Sequence, residues 1–182
     1  MATIPDLVQR DFTPDDPNQL WVGDVTYIRT WKGWLYLAVL LNGSSRRVVG
    51  WSMAHHLRTE LPLAVLRMAV VQRAPAPDLI DHTNCGCQYT AEYDTKVLDA
   101  HGILSSLSRS HNYGAHVVVE NFFATLMSDL VYRRSWPTQT AARSTIFEYI
   151  DAFVQSRPNS LHPGIFSPAA TGNRRLPVAQ SA

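Results

Sequence analysis

The chain has 182 residues, 46% of them apolar and 17% charged, with a formal net charge of +1 at pH 7. That length supports one domain with its own core, burying roughly 70% of its unfolded surface. The near-neutral charge excludes a broadly basic coat for nucleic acid, so phosphate contacts must come from local clusters of Arg, which outnumbers the two lysines, Lys32 and Lys96.

Residues 1–18 are polar, carry Pro5, Pro14 and Pro17, and read as an N-terminal arm. No basic start followed by a long apolar run marks a signal peptide. Three strand-like runs follow: Leu20–Thr30, Trp34–Leu41 and Arg47–Met53. Trp31-Lys32-Gly33 makes the first turn. Asn42-Gly43-Ser44-Ser45 makes the second and carries the Asn-Gly hairpin signal. The run from Leu35 to Leu41 is far too short to span a bilayer, so no membrane partner is expected.

In the first strand, Leu20, Val22, Asp24, Thr26 and Ile28 share one face, and Trp21, Val25 and Tyr27 share the other. Both faces are largely apolar, which predicts a central strand covered on both sides. Asp24 is the lone carboxylate. It needs a cation or metal partner there, or local hydrogen bonds at a strand end or bulge.

A helix follows, with Thr59 as N-cap, Pro62 in the first turn, and Leu61, Val65, Met68 and Ala69 on the buried stripe. Ala74-Pro75-Ala76-Pro77 ends it. Asp78–His82 reads as a strand running into a turn at Thr83–Cys87. Residues 90–101 read as a helix, Ile103–Leu107 as a strand, and 108–115 as a loop. Two helices close the chain. One spans about His116–Tyr132, with Val119, Phe122, Phe123, Leu126 and Leu130 inward. The other spans Gln139–Gln155, with Ala142, Ile146, Tyr149, Ile150 and Phe153 inward. This element order predicts a mixed sheet with helices on its faces. The core is expected over 19–170, with a tail from 171 to 182 that frays. The five tryptophans are expected in core or turn packing rather than as stacking platforms for bases.

Asp24, Asn84 and Glu120 stand out together: one on a strand, one just after a strand and one on a helix. Around them run Asn18 to Ile28, Gly33-Trp34-Leu35-Tyr36-Leu37-Ala38-Val39 and Arg46-Arg47-Val48-Val49-Gly50-Trp51. Gly86-Cys87-Gln88-Tyr89-Thr90 and Glu120-Asn121-Phe122-Phe123-Ala124-Thr125-Leu126 complete the set. With these segments the chain resembles, from about Phe12 to Ala170, the catalytic core of bacterial insertion-sequence transposases of the retroviral-integrase superfamily. The resemblance implies an α/β fold of ribonuclease H-like type, with a five-stranded mixed sheet in the order 3-2-1-4-5 and strand 2 antiparallel to its neighbours. It also implies a DNA integration enzyme in which two aspartates and a glutamate hold two divalent ions, Mg²⁺ or Mn²⁺, for phosphodiester cleavage and strand transfer. Such ions sit roughly 3.5–4 Å apart and need clustered carboxylates to offset their repulsion. Asp24 matches the first acid and Glu120 the last.

The middle acid is Asn84, in Thr83-Asn84-Cys85-Gly86-Cys87-Gln88-Tyr89. An amide still offers an oxygen but no charge. Asp81, three residues back on a strand, points to the opposite face. If the loss resembles breaking a buried charge pair it costs roughly 3–5 kcal/mol, a rate loss on the order of 10²–10³ or more. Other departures agree. His111 to Val117 lacks the adjacent Asp-Asn pair usual before the glutamate, Met127 stands where relatives often have Lys, and the motif around Leu161-His162-Pro163-Gly164 is shortened. The sequence holds no helix-turn-helix region of the kind that usually precedes such a core, so DNA binding is expected to be weak and sequence-independent.

The expected site is therefore metal-binding Asp24, Asn84 and Glu120, with catalysis impaired or lost. Arg46, Arg47, Gln88, Tyr89 and Arg109 are the candidate DNA contacts. Expected partners are DNA and, as an oligomer, a second copy or an intact transposase, in the cytoplasm and at the nucleoid when DNA is bound. The alternative is a non-catalytic remnant that keeps the fold and only binds DNA or pairs with transposase subunits. His82 with Cys85 and Cys87 offers too few cysteines for structural zinc, and the resemblance assigns them to a loop. Most of the other histidines are expected to be solvated or locally bonded; His116, one turn before Glu120, is within reach of the site.

Overall fold

The computed structural model describes residues 5–8, 19–83, 92–107 and 113–155. Five strands form one sheet: β1 (Leu20–Thr30), β2 (Gly33–Asn42), β3 (Val48–Ala54), β4 (Ile80–Thr83) and β5 (Leu104–Leu107). Their order is β3-β2-β1-β4-β5. β2 runs antiparallel to β1 and β3, and β4 lies parallel to β1 and β5. The antiparallel half is built by tight turns. The parallel half needs crossovers, supplied by α1 (Glu60–Arg73) and α2 (Glu92–Ala100). The expected order and orientation of the strands hold.

Helix α3 (Tyr113–Leu126), a single π-helical turn (Met127–Val131) and α4 (Gln139–Gln155) complete the fold. The expected helix to Tyr132 thus widens into a π turn at Met127. Val22, Ile28, Leu35, Leu37, Val39 and Leu41 bury one face of the sheet against Val119, Phe122, Leu126, Ile146 and Ile150 of α3 and α4. On the other face, Trp21, Ala38, Leu40 and Val49 pack with Leu61, Val65 and Ala69 of α1 and Leu98 of α2. With both faces covered, β2 is an almost unbroken apolar run rather than an alternating one.

Local chemistry explains the turns and ends. The side-chain oxygen of Asn42 accepts hydrogen bonds from the N–H groups of Ser44 and Ser45, both at 3.1 Å, closing the second turn. Ala74 ends α1 in a left-handed conformation, its N–H donating to Val70. Thr59 occupies the N-cap position, but its hydroxyl makes no capping bond. The buried stripe of α1 adds Leu66 and Val70, whereas Met68 is only half-buried and its sulfur accepts from the N–H of Trp51.

Within the expected N-terminal arm, the described residues dock on the sheet. Leu107 N–H donates to the Pro5 carbonyl at 3.2 Å. Leu7 N–H donates to the Ser106 hydroxyl at 2.9 Å, and Val8 is buried in the α3 and α4 core.

Candidate functional site

Asp24 lies mid-strand in β1, half-buried, opposite Val39 of β2. By alternation it shares the face of Val22 and Ile28, the face that α3 and α4 cover. On its other side the pairing with β4 ends at Gly23 and Thr83. Asp24 therefore sits one residue beyond the last described rung of the parallel ladder. Glu120 is exposed on α3. Its neighbours Val119, Phe122 and Phe123 are buried and anchor that helix to the sheet. Glu120 thus stands on the layer that faces Asp24, not across the sheet from it.

His116, one helical turn before Glu120, is buried at 6% exposed rather than solvated. Neither ring nitrogen has a hydrogen-bond partner among the described residues. Burial lowers its pKa from the ordinary 6.5, while the negative charges of Asp24, Glu120 and Asp6 push it back up. Both acids of the expected site therefore act on one ring.

His116 packs on His82 with ring centroids 5.1 Å apart and planes tilted by 39°. His82 is fully buried. Its Nδ1 hydrogen-bonds the Ser106 hydroxyl at 2.9 Å. Its pKa falls to about 4, first through burial and then through repulsion by His116, opposed by the charge of Asp6. Both imidazoles are thus neutral at pH 7. Sequence reasoning missed this pair. The one available signal was position: His82 aligns with Val22 in β4, hence on the face of Asp24.

Asp81 aligns with Trp21 and lines a small cavity with Val65, Leu66 and Leu98, on the α1 side of the sheet. It points away from Asp24, as expected. Arg46 and Arg47 lie in and beside the turn whose Gly43 N–H donates to the Leu20 carbonyl. That is four residues behind Asp24, roughly 13 Å along the strand. The structure therefore does not bring these two arginines to Asp24. Asn84, Gln88, Tyr89, Arg109 and both cysteines lie outside the described residues. Among the described residues no cluster of three or more His, Cys, Asp or Glu is placed to hold a metal ion. No described helix is long and apolar enough to cross a membrane.

Comparison with known proteins bears on the family and the fold. The integrase core domain family matches residues 14–113. The transposase for insertion sequence element IS904 of Lactococcus lactis is 35% identical over 161 residues, 88% of this chain and 63% of its own length. Transposase InsF for insertion sequence IS3 of Escherichia coli is 34% identical over 171 residues, 93% of this chain and 59% of its own. The chain thus spans about three fifths of the length of these curated relatives. Among solved structures, the catalytic core domain of HTLV-2 integrase, in a dimeric form with magnesium, superposes with a TM-score of 0.59 at 17% identity. It covers 80% of this chain and 92% of its own. The catalytic domain of Mos1 mariner transposase superposes with a TM-score of 0.53 at 15% identity, covering 74% and 71%. At these identities the likeness shows the shared fold.

Proposed function

Because this chain belongs to the integrase core domain family, we propose that it is the core of an insertion-sequence transposase whose metal site is weakened by Asn84. One observation carries this reading. Asp24 and Glu120, from elements far apart in sequence, stand on the same face of the sheet and both act on His116.

The donor set fits a hard divalent cation. Carboxylate oxygens suit Mg²⁺, which commonly keeps several waters and uses one or two carboxylates. When bound, such an ion supplies Lewis-acid activation of a water or 3′-hydroxyl and stabilises the leaving oxygen of a phosphodiester. The chain's own residues set the charge that holds it. Asp24, half-buried, and Glu120, at the rim, bring two negative charges. His116, held neutral, brings no positive charge to cancel them. Asn84 brings an oxygen without charge, so a second ion meets less to offset ion–ion repulsion. The site therefore supports one weakly held ion and little strand cleavage.

The non-catalytic reading is favoured by the same Asn84: the fold stays intact while DNA binding or pairing with another transposase subunit persists. The dimeric form of the HTLV-2 core makes self-pairing a concrete expectation. DNA binding, in the cytoplasm, is weak and falls steeply with salt through counterion release. Titration calorimetry with Mn²⁺ tests the metal site. Wild type should bind one ion weakly, Asn84→Asp more tightly, and Glu120→Gln not at all. Equal affinity in all three would remove these residues from the site.

A further inference from the structure

An open groove of about 880 Å³ lies between the β1–β2 turn and the loop after α3. The sequence suggested that its tryptophans pack. Trp136 does, buried as expected, but Trp31 is 75% and Trp34 44% exposed. Tyr132, just past the π turn, is 80% exposed. Large aromatic faces left in water along one groove are costly, and such a patch marks an interaction surface.

The frame beneath these rings is tied on both walls. Trp31 N–H donates to the Trp136 carbonyl at 2.9 Å. Trp136 Nε1–H donates to the Val131 carbonyl at 3.2 Å. Gln139 Nε2–H donates to the Trp34 carbonyl at 3.0 Å, and Thr30 Oγ1–H donates to the Gly33 carbonyl at 2.7 Å. The backbone that carries the rings is held, so little backbone ordering cost remains on binding.

Charge selects the occupant. Arg29 and Arg134 line the groove, and among the described residues no Asp or Glu does. Exposed Lys32 and Arg133 adjoin them. The nearest acids along the chain are Asp24, two residues before Thr26, and Asp129, which is hydrogen-bonded to Tyr149. In a chain of net charge +1 this is a local concentration of cations beside flat aromatic faces. Phosphates pair with the first and bases stack on the second. A duplex offers only base edges in its grooves, so the complementary form is unstacked. Thr26 lines the groove and lies on the Asp24 face, two residues along β1, roughly 7 Å away.

We propose that this groove holds a single-stranded stretch of nucleic acid leading to Asp24, with bases on Trp31, Trp34 and Tyr132 and phosphates on Arg29 and Arg134. This rests on the DNA-acting reading above and adds where, and in what form, the strand is held.

The test is fluorescence anisotropy with the full chain, in EDTA at low salt, using a labelled oligothymidine of about 12 nucleotides and a duplex of the same length. Wild type should bind the single strand more tightly than the duplex. Trp31→Ala and Tyr132→Ala should each weaken single-strand binding about fivefold or more. Arg134→Ala should lower the salt slope by about 0.7. Duplex and Mn²⁺ binding should not change, and Val71→Ala, on exposed α1 surface, should change nothing. Circular dichroism checks that each variant folds. Single-strand affinity no better than duplex affinity, or unaffected by these variants, overturns the proposal. So does equal competition by polyglutamate, or sedimentation showing a dimer that Trp31→Ala dissolves without touching oligothymidine binding. Loss of the groove result with Mn²⁺ binding intact leaves the metal-site reading standing. Loss of Mn²⁺ binding in wild type and in Asn84→Asp strikes that reading instead.

Discussion

The ring of His116 lies on that of His82, centroids 5.1 Å apart, with both rings buried on the Asp24 face of the sheet. Both stay neutral in the fold because burial disfavours charge, reinforced at His82 by repulsion from His116 and opposed at His116 by the charges of Asp24, Glu120 and Asp6. The unfolded chain takes up protons near pH 6.5, whereas folded His82 does so only near pH 4. Between those values the unfolded state binds more protons, so stability rises with pH. The stabilisation is full above about 6.5 and is lost as pH falls toward 4. Thermal unfolding should show Tm falling from pH 7 to pH 5. His116→Phe, which removes one titrating ring and the repulsion on the other, should flatten that fall. An unchanged slope would mean that the pair does not titrate with folding.

Gly50 of β3 lies directly under α1. A Cβ there would overlap the Val65 carbonyl oxygen and crowd the Ala69 Cβ at 3.1 Å. Backbone cannot step aside as a flexible side chain can. Gly50→Ala should therefore destabilise by about 3 kcal/mol or more, at the upper end of overpacking costs. Urea denaturation reads this directly, and a loss below 1 kcal/mol would show that α1 shifts freely on the sheet.

Phe122 is almost fully buried between β1, α3 and α4, and its ring meets Phe123 and Phe153. Phe122→Ala should cost about 3–5 kcal/mol. Since Phe122 is two residues from Glu120, the same variant should also weaken Mn²⁺ binding if helix placement sets the site. Lost stability with unchanged metal affinity would separate the two.

Much of the sheet was legible because its signals are local. Alternation in Leu20–Thr30, the apolar run of β2 and the Asn42-Gly43 turn place three strands within a residue or so of their observed ends. The resemblance supplied the strand order, which no local pattern contains. What escaped depends on contacts far apart in sequence. Leu7 meets Ser106 across 99 residues, and His82 meets His116 only once β4 and α3 are in place. Thr59 is the right residue type at the right position, yet its backbone is already helical at φ −54° and ψ −29°, so its hydroxyl does not cap. Trp31 sits in the expected turn, but no local rule says that a turn tryptophan stays in water rather than packing. Of the three expected site residues, Asp24 and Glu120 are among the described residues and Asn84 is outside them.

The central claim is that Asn84 is a lesion in a divalent-metal site otherwise built by Asp24 and Glu120. Nicking of supercoiled plasmid with Mn²⁺ tests it most directly, comparing wild type, Asn84→Asp, and Asn84→Asp with Glu120→Gln. Restoring the charge should raise the rate by up to about 10²–10³, the equivalent of the roughly 3–5 kcal/mol lost with a broken buried charge pair. The altered stretch from His111 to Val117 is expected to keep recovery partial. Glu120→Gln should abolish what Asn84→Asp restores. Wild type that cleaves as fast as Asn84→Asp would contradict the account, since the neutral residue would then be no lesion.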